Sequence, residues 1–335
     1  MATSKTGRSR LSTAVVGAGV MGRWHADAIG RAGGALVAVV DPDPARAKRV
    51  ARGAATFATL DDLLASGPSV DVIHVCTPLA THAALAGRAV GAGAHVIVEK
   101  PLACDAAGTE ALLAAGAEHD RLVVPVHQFL FQPGVQRLLD GRARLGTIVR
   151  CEFVAATAGV EHAGIEPDEL VAEILPHPLS LFARLVPLPV TAGDWVVAHP
   201  APGELRALAT VDGATLEITV TTRGRPTRAE LELTGSTASG HADLYHGFAV
   251  LERGRATRAG KAVRPFALAG STLARAGGNL AARAARREHA YPGLRELVRR
   301  AYDAVSNGLP PPIDPAETLA VARARDEILA ARGRL

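Results

Sequence analysis

This sequence predicts an α/β chain of two unlike parts. Residues 1–126 read as a doubly wound parallel sheet, and residues 127–335 as an α+β domain with an open, mostly antiparallel sheet. Three observations carry the prediction. Short apolar runs alternate with helical stretches through the first part, the pattern of a parallel sheet covered on both faces. The second part strings strand-like runs together without helices, and Thr215-Leu216-Glu217-Ile218-Thr219-Val220 alternates with period two, as a sheet with one polar face would. A length of 335 residues is room for about two domains at roughly 150 residues each.

Taken in order, Leu11–Val16 is an apolar run ending at Gly17, and Val20–Ala32 reads as a helix. Ala35–Val40 is a second strand, closed by Asp41. Asp43-Pro44 opens the next helix, because proline in the first turn gives up an N–H that has no partner there anyway. Thr59-Leu60-Asp61-Asp62 has the form of a capping box before another short helix. Strands follow at Asp71–Cys76, Ala94–Val98 and Leu122–Val126, separated by helices at Thr81–Val90 and Asp105–His119. Beyond Val126, the runs Thr147–Thr157, Thr191–Ala198, Glu204–Val211, Ala214–Thr221 and Thr227–Leu233 read as strands. Asp212-Gly213 between two of them is a hairpin turn signal. A helix over Leu294–Ser306 stops at Gly308, before Pro310-Pro311-Pro312.

Composition narrows the function classes. Hydrophobic residues make up 48% and charged residues 21%, which excludes a disordered chain. No apolar run reaches the roughly 18 residues of a membrane span, and Met1–Arg10 is polar with no apolar signal core behind it. Cys76, Cys104 and Cys151 lack Cys-x-x-Cys spacing, which argues against a disulfide framework or zinc ribbon and for a reducing cytoplasm. Charge is unevenly placed. Nine basic and no acidic residues lie between Arg253 and Arg287, in a basic insertion at about 254–289, while the rest of the chain is net acidic. That stretch has a single aromatic, Phe266, so no nucleic-acid partner is indicated. Ala267–Arg287 reads as an Ala- and Leu-rich helix with an arginine face, broken near Gly277-Gly278. It is expected to be a solvated insertion or an oligomer contact rather than a contact with a membrane surface or a substrate phosphate.

Gly17-Ala18-Gly19-Val20-Met21-Gly22 matches G-x-G-x-x-G, a weak pattern by itself. Its context is stronger: it follows a strand, opens a helix and precedes an acid, Asp41, at the end of the next strand. In a dinucleotide site Gly17 makes the turn, Gly19 admits the pyrophosphate and Gly22 lets the helix pack closely, while Asp41 takes the ribose hydroxyls. The first-turn amides, including those of Val20 and Met21, add donors and a partial positive charge. Asp41 would repel a 2′-phosphate, which favours NAD over NADP; Arg46 nearby pulls the other way.

Val96-Ile97-Val98-Glu99-Lys100-Pro101-Leu102 and Thr77-Pro78-x-x-x-His82, taken with the glycine loop and Asp41, carry a resemblance. The chain resembles the Gfo/Idh/MocA family of glucose–fructose oxidoreductase and inositol dehydrogenase-like enzymes, over nearly its whole length. The resemblance implies a nucleotide-binding domain followed by an open-sheet substrate domain. It implies that Thr77, Pro78 and His82 lie on the nicotinamide half of the cofactor and Glu99 at its ribose. Lys100 would lie between that ribose and a substrate hydroxyl, with a cis bond to Pro101. Lys100 is one of only four lysines in a chain that otherwise writes arginine. An ammonium can act as a compact donor with a depressed pKa, and a guanidinium cannot.

The family's catalytic helix, Asp-x-Gly-x-His-x-x-Asp, is matched by Glu173-Ile174-Leu175-Pro176-His177-Pro178-Leu179-Ser180. His177 then stands at the catalytic histidine, with Glu173 as its partner and Ser180 at the substrate. Pro176 and Pro178 cannot both sit inside an unbroken helix, so a new helix is expected to start at Pro178 and to run over Leu179–Val186. In His127-Gln128-Phe129-Leu130-Phe131, Gln128 is expected to touch nicotinamide or substrate, and Leu130 and Phe131 to be core. His241 and His246, in an expected loop, lack metal spacing, and no metal is expected. The implied activity is NAD-dependent hydride transfer at a carbinol or keto carbon of a sugar, nucleotide-sugar or cyclitol-like substrate. The protein would be a homodimer or homotetramer built on the open sheet. Two other classes stay open: an NAD-using non-redox hydrolase or lyase on a glycoside, and a nucleotide-binding regulatory or scaffold protein without turnover.

Overall fold

The computed structural model describes residues 10–157, 166–186, 194–254, 257–288 and 290–332. Contacts divide the chain into two units, Met1–Val126 with Arg295–Pro315, and His127–Leu294 with Ala316–Leu335. The sequence suggests a second domain running unbroken from 127 to 335; Arg295–Pro315 instead returns to the first unit. The reason is an apolar helix face carrying Leu297, Val298, Ala301 and Tyr302, all buried. Tyr302 packs where a Cβ on Gly34 would lie only 2.6 Å from its ring.

The first unit alternates β1 (Ser12–Val16), α1 (Val20–Ala32), β2 (Ala35–Val40), α2 (Pro44–Ala51), β3 (Ala55–Phe57), α3 (Leu60–Ser66) and β4 (Val72–Val75). It continues with α4 (His82–Gly91), β5 (His95–Val98), α5 (Ala106–Glu118) and β6 (Val123–Pro125). The short strand β3 has no counterpart in the sequence reading. All neighbours are parallel, in the order β3-β2-β1-β4-β5-β6. That is the doubly wound order, with its topological switch between β1 and β4. Local chemistry sets the helix starts: Asp43 caps α2 through the amides of Ala45 and Arg46, and Thr59 with Asp62 forms a full capping box on α3. The strands are apolar on both faces because helices cover both; Val15, Ile73, Val75, Val96 and Val98 are fully buried.

The second unit holds α6 (Pro133–Asp140), β7 (Ile148–Ala156), α7 (Pro167–Ile174), α8 (Pro176–Leu185), β8 (Val196–Ala198), β9 (Glu204–Val211) and β10 (Ala214–Thr221). β11 (Arg228–Gly235), β12 (Ala238–Asp243), β13 (Phe248–Arg253), α9 (Arg258–Arg286) and, beyond α10 (Leu294–Asn307), α11 (Pro315–Arg332) complete the helices and strands. The expected strand at Thr191–Ala198 begins in part outside the described residues. Seven strands run β13-β12-β11-β7-β10-β9-β8, antiparallel except for β7 beside β10. One face is core, with Phe153, Leu216, Ile218, Leu231 and Leu233 buried. The other face is polar: Leu208, Glu217, Glu152, Glu232 and His241 lie in cross-strand register. His241 therefore sits on strand β12, not in a loop.

Two helix expectations are corrected. α8 starts at Pro176 rather than Pro178, with Leu175 at its N-cap. Both prolines then fall in the first turn, where amides have no intrahelical acceptor, and the break after Ile174 separates α7 from α8. α9 runs unbroken through Gly277-Gly278 and Pro265 for 29 residues. Glycine lowers helix propensity by about 1 kcal/mol without breaking a turn, and the surrounding alanines are the best helix formers.

Candidate active site

The functional side chains of the first unit gather at the carboxyl ends of β1, β2, β4 and β5, where open α/β sheets bind ligands. Gly17 has φ +95°, and a Cβ there would lie 2.6 Å from the Cys76 carbonyl oxygen. A Cβ on Gly22 would meet the Gly17 carbonyl oxygen, so α1 can approach the loop only without one. Gly19 differs: a Cβ there would meet nothing within 4 Å. Gly19 is also the N-cap of α1, with no side-chain cap and no acid in the first turn. The helix N-terminus is thus uncapped, open and backed by a positive dipole end, which fits a dinucleotide phosphate. Val20, exposed, and Met21, half-buried, stand on that first turn.

Asp41 is buried, and each of its carboxylate oxygens accepts one backbone N–H: Oδ2 from Ala18 at 2.8 Å and Oδ1 from Asp43 at 2.9 Å. Those bonds fix the carboxylate on the loop and leave further lone pairs for ribose hydroxyls. Arg46 Nε lies 3.4 Å from Asp41 and 3.1 Å from Asp43, so the local cation is drawn to two carboxylates.

The Lys100–Pro101 bond is cis, and Lys100 is half-buried. Glu99 beside it anchors a buried polar chain. His25 Nε2 lies 3.0 Å from Glu99 Oε1, and His25 Nδ1 lies 2.8 Å from His74 Nδ1. His74 Nε2 then lies 2.8 Å from the Tyr302 hydroxyl. One proton assignment satisfies every group with both rings neutral. Tyr302 donates to His74, His74 Nδ1–H donates to His25, and His25 Nε2–H donates to the Glu99 carboxylate. Burial holds the His74 pKa well below its ordinary value, consistent with a neutral ring. Burial pushes Glu99 up, but the His25 hydrogen bond and the Lys100 charge outweigh it, and the net shift is down. Burial, followed by the Glu99 charge, holds the nearby Cys76 thiol well above its usual range. His25, His74 and Tyr302 are the site residues the sequence reading missed. Their partners are up to 228 positions away, and no local pattern marks them.

Thr81 Oγ1 donates toward Thr77 Oγ1 and the Pro78 carbonyl, both at 2.8 Å. His82 is buried, with Nδ1 2.8 Å from the Pro101 carbonyl and Nε2 2.7 Å from the Thr77 carbonyl. Both its nitrogens are occupied by backbone, so His82 braces the turn at Thr77-Pro78 against Pro101.

In the second unit, His177 is the second residue of α8, half-buried, with Phe129 stacked on its ring at 4.4 Å between centroids. Phe129, a positioning surface for His177, was not singled out by the sequence. Gln128 is buried, and its side-chain oxygen has no hydrogen-bond partner among the described residues. A buried amide oxygen without a partner costs about 1–3 kcal/mol unless a ligand donates to it. Leu130 and Phe131 are core. Glu173 is half-buried in the last turn of α7, across the helix break from His177. Ser180 is fully buried and donates to the His177 carbonyl at 2.9 Å. That bond steadies the first turn of α8. Among the described residues, no group of three or more His, Cys, Asp or Glu side chains could hold a metal ion.

Fold and loop define a two-domain protein of the dinucleotide-binding class. Residues 11–127 match the model of the Gfo/Idh/MocA oxidoreductase family with an NAD-binding Rossmann fold. The chain is 35% identical over 134 residues to UDP-N-acetylglucosamine 3-dehydrogenase of Acidithiobacillus ferrooxidans, covering 37% of this chain and 42% of the relative. It is 37% identical over 148 residues to inositol 2-dehydrogenase of Rhizobium meliloti, covering 43% of this chain and 44% of the relative. The chain thus matches less than half the length of these relatives. In fold it is similar to the WlbA dehydrogenase from Bordetella pertussis, solved with NADH and UDP-GlcNAcA. The TM-score is 0.76 at 17% identity, covering 97% of this chain and 96% of that one.

Proposed function

We propose that the protein is an NAD-dependent dehydrogenase acting on a CH–OH group of a sugar, nucleotide-sugar or cyclitol-like substrate. The observation that supports this most is the coincidence, at one sheet edge, of an open glycine loop, a buried Asp41 and the Glu99-Lys100-cis-Pro101 turn. The similarity to sugar and inositol dehydrogenases agrees with it.

In this reading the amides of Val20, Met21 and Gly22 hold the pyrophosphate and Asp41 the adenosine ribose. Asp41 disfavours a 2′-phosphate, so NAD is preferred over NADP. Thr77 and Pro78 border the nicotinamide half, and Glu99 accepts from its ribose. Bound NAD supplies the hydride acceptor. Lys100 donates to the substrate hydroxyl and stabilises the charge that develops on its oxygen. His177 takes the hydroxyl proton, with Phe129 fixing its ring plane and Glu173 assisting. Gln128 contributes its unpartnered oxygen to cofactor or substrate. The assembly is a cytoplasmic homodimer or homotetramer through the open sheet face; Glu152, Glu217 and Glu232 on that face make such a contact polar.

The test is incubation of the purified protein with NAD and candidate sugars, inositols and nucleotide-sugars, following NADH absorbance and released products. NADH formation with one of them supports the proposal. Released sugar without net NADH would instead indicate the non-redox hydrolase or lyase. Cofactor binding with no turnover of any substrate would indicate a scaffold.

A further inference from the structure

A glutamate side chain turns about several bonds, so a carboxylate that must meet a ligand in one orientation needs an anchor. Glu99 has two hydrogen-bond donors among the described residues. The Lys100 amide lies 3.3 Å from Oε2, beyond the usual N–H···O range. His25 Nε2 lies 3.0 Å from Oε1 and is the stronger anchor. His25 belongs to α1, the helix that the open glycine loop begins, whereas Glu99 directly follows β5. One buried ring therefore ties the helix at the pyrophosphate end of the candidate cofactor site to the carboxylate at its nicotinamide end.

What lies behind His25 decides which of its nitrogens can donate. Its Nδ1 is 2.8 Å from His74 Nδ1, and the two rings meet edge-on at 80°. Two bare nitrogens at that distance would repel, so one of the pair carries a proton and the other accepts it. His74 Nε2 in turn lies 2.8 Å from the hydroxyl of Tyr302 on α10. With Tyr302 donating to Nε2, the one proton of a neutral His74 stands on Nδ1. His25 Nδ1 must then accept, and the one proton of a neutral His25 stands on Nε2, aimed at Glu99. Tyr302 thus specifies, through two rings, a donor facing the carboxylate. The whole chain is closed to bulk water, with His25 and His74 fully buried and Tyr302 and Glu99 5% and 6% exposed.

We propose that His25 is a positioning residue for the cofactor: held as an Nε2–H donor by His74 and Tyr302, it fixes the Glu99 carboxylate so that its remaining lone pairs receive the nicotinamide ribose hydroxyls. The inference rests on the reading of Glu99 at that ribose given above. A carboxylate has about four acceptor sites, and His25 and the Lys100 amide take one each. Hydroxyls bind an ionised acceptor more strongly than a neutral one, so the nicotinamide half gains from a Glu99 that stays charged and oriented. Burial opposes that charge, and the His25 bond is the largest influence restoring it. Stability by itself does not call for such a chain, because apolar side chains of similar volume often fill a buried ionic site at equal or lower cost.

The test is calorimetric titration of the full-length protein with NAD and with ADP, which lacks the nicotinamide riboside. The ratio of the two affinities isolates the nicotinamide end, and ADP binding reports an intact glycine loop. His25→Gln puts an amide donor near the place of Nε2, whereas His25→Asn puts its amide near Nδ1 and leaves Glu99 without the donor. The NAD-over-ADP ratio should fall roughly tenfold or more in His25→Asn, the worth of a hydrogen bond to a charged group, with ADP affinity retained. His25→Gln should keep the ratio within about threefold of wild type. In a Glu99→Ala background His25→Asn should change the ratio no further, because it acts through Glu99. A wild type that binds NAD no more tightly than ADP would overturn the reading of Glu99 at the ribose and this inference with it. A wild type that prefers NAD, with the preference kept in His25→Asn, would overturn this inference alone. If His25→Asn binds neither nucleotide, His25→Gln decides: a ratio as low as that of Glu99→Ala overturns the proposal, and a wild-type ratio supports it.

Discussion

Replacing His25 by Leu isolates the energetics of the buried chain behind Glu99. The two side chains are similar in volume, so the change removes the hydrogen bonds without opening a large cavity. It takes from Glu99 a partner at 3.0 Å and from His74 a partner at 2.8 Å, both in surroundings closed to water. A hydrogen bond to a charged group contributes about 1.5–3 kcal/mol, and a buried polar group left without its partner, as His74 would be, costs about 1–3 kcal/mol more. A loss of about 3–5 kcal/mol near neutral pH is expected for the first unit. The pH dependence carries the sharper signature. In the wild type Glu99 is shifted below the ordinary 4.5, so its contribution is present above that value and is lost as pH falls through the folded pKa. In His25→Leu the effect of burial is left largely unopposed and the Glu99 pKa rises above 4.5. The variant then recovers relative stability as the pH falls and Glu99 takes a proton. Trp24, adjacent to His25, reports urea unfolding by fluorescence in a Trp195→Phe background shared by both proteins. A loss below about 1 kcal/mol, or a loss independent of pH from about 8 to 5, would refute the assignment of Glu99 as a carboxylate held by His25.

Other expectations follow from the same geometry. Gly22→Ala places a Cβ on the Gly17 carbonyl oxygen, so α1 must shift; NAD binding measured by calorimetry should be lost, with several degrees of thermal destabilisation. Asp41→Ala should narrow the NAD-over-NADP preference in titrations, and an unchanged ratio would remove Asp41 from the ribose. His177→Ala should lower kcat by roughly 10²–10⁴ with NAD affinity retained, and Lys100→Arg should not restore the activity lost in Lys100→Ala. A fully active His177→Ala enzyme would remove His177 from the mechanism.

Much of the first unit was legible because its signals are local. Asp43-Pro44, the Thr59–Asp62 box and the glycine loop each depend on residues within a few positions of one another, and the helices begin where those residues stand. Asp212-Gly213 is the same kind of signal: both residues take positive φ, as the two-residue hairpin between β9 and β10 requires. β12 was not legible, because Ala238-Ser239-Gly240-His241-Ala242-Asp243 lacks β-branched residues and becomes a strand only by pairing with β11 and β13.

What the sequence determined by itself is therefore the order of strands and helices in the first unit, the phosphate-binding loop with its acid, and the identity of the candidate groups Lys100 and His177. Only the tertiary structure decided which of those groups are available. It closed Ser180 inside α8 and spent both nitrogens of His82 on backbone carbonyls. It joined Glu99 to His25, His74 and Tyr302, and it turned the apolar face of α9 outward. The physical reason is range. Caps, turns and amphipathic periods are set by neighbours along the chain, whereas burial and hydrogen-bond partnership are set by neighbours in space, here as far apart as His74 and Tyr302.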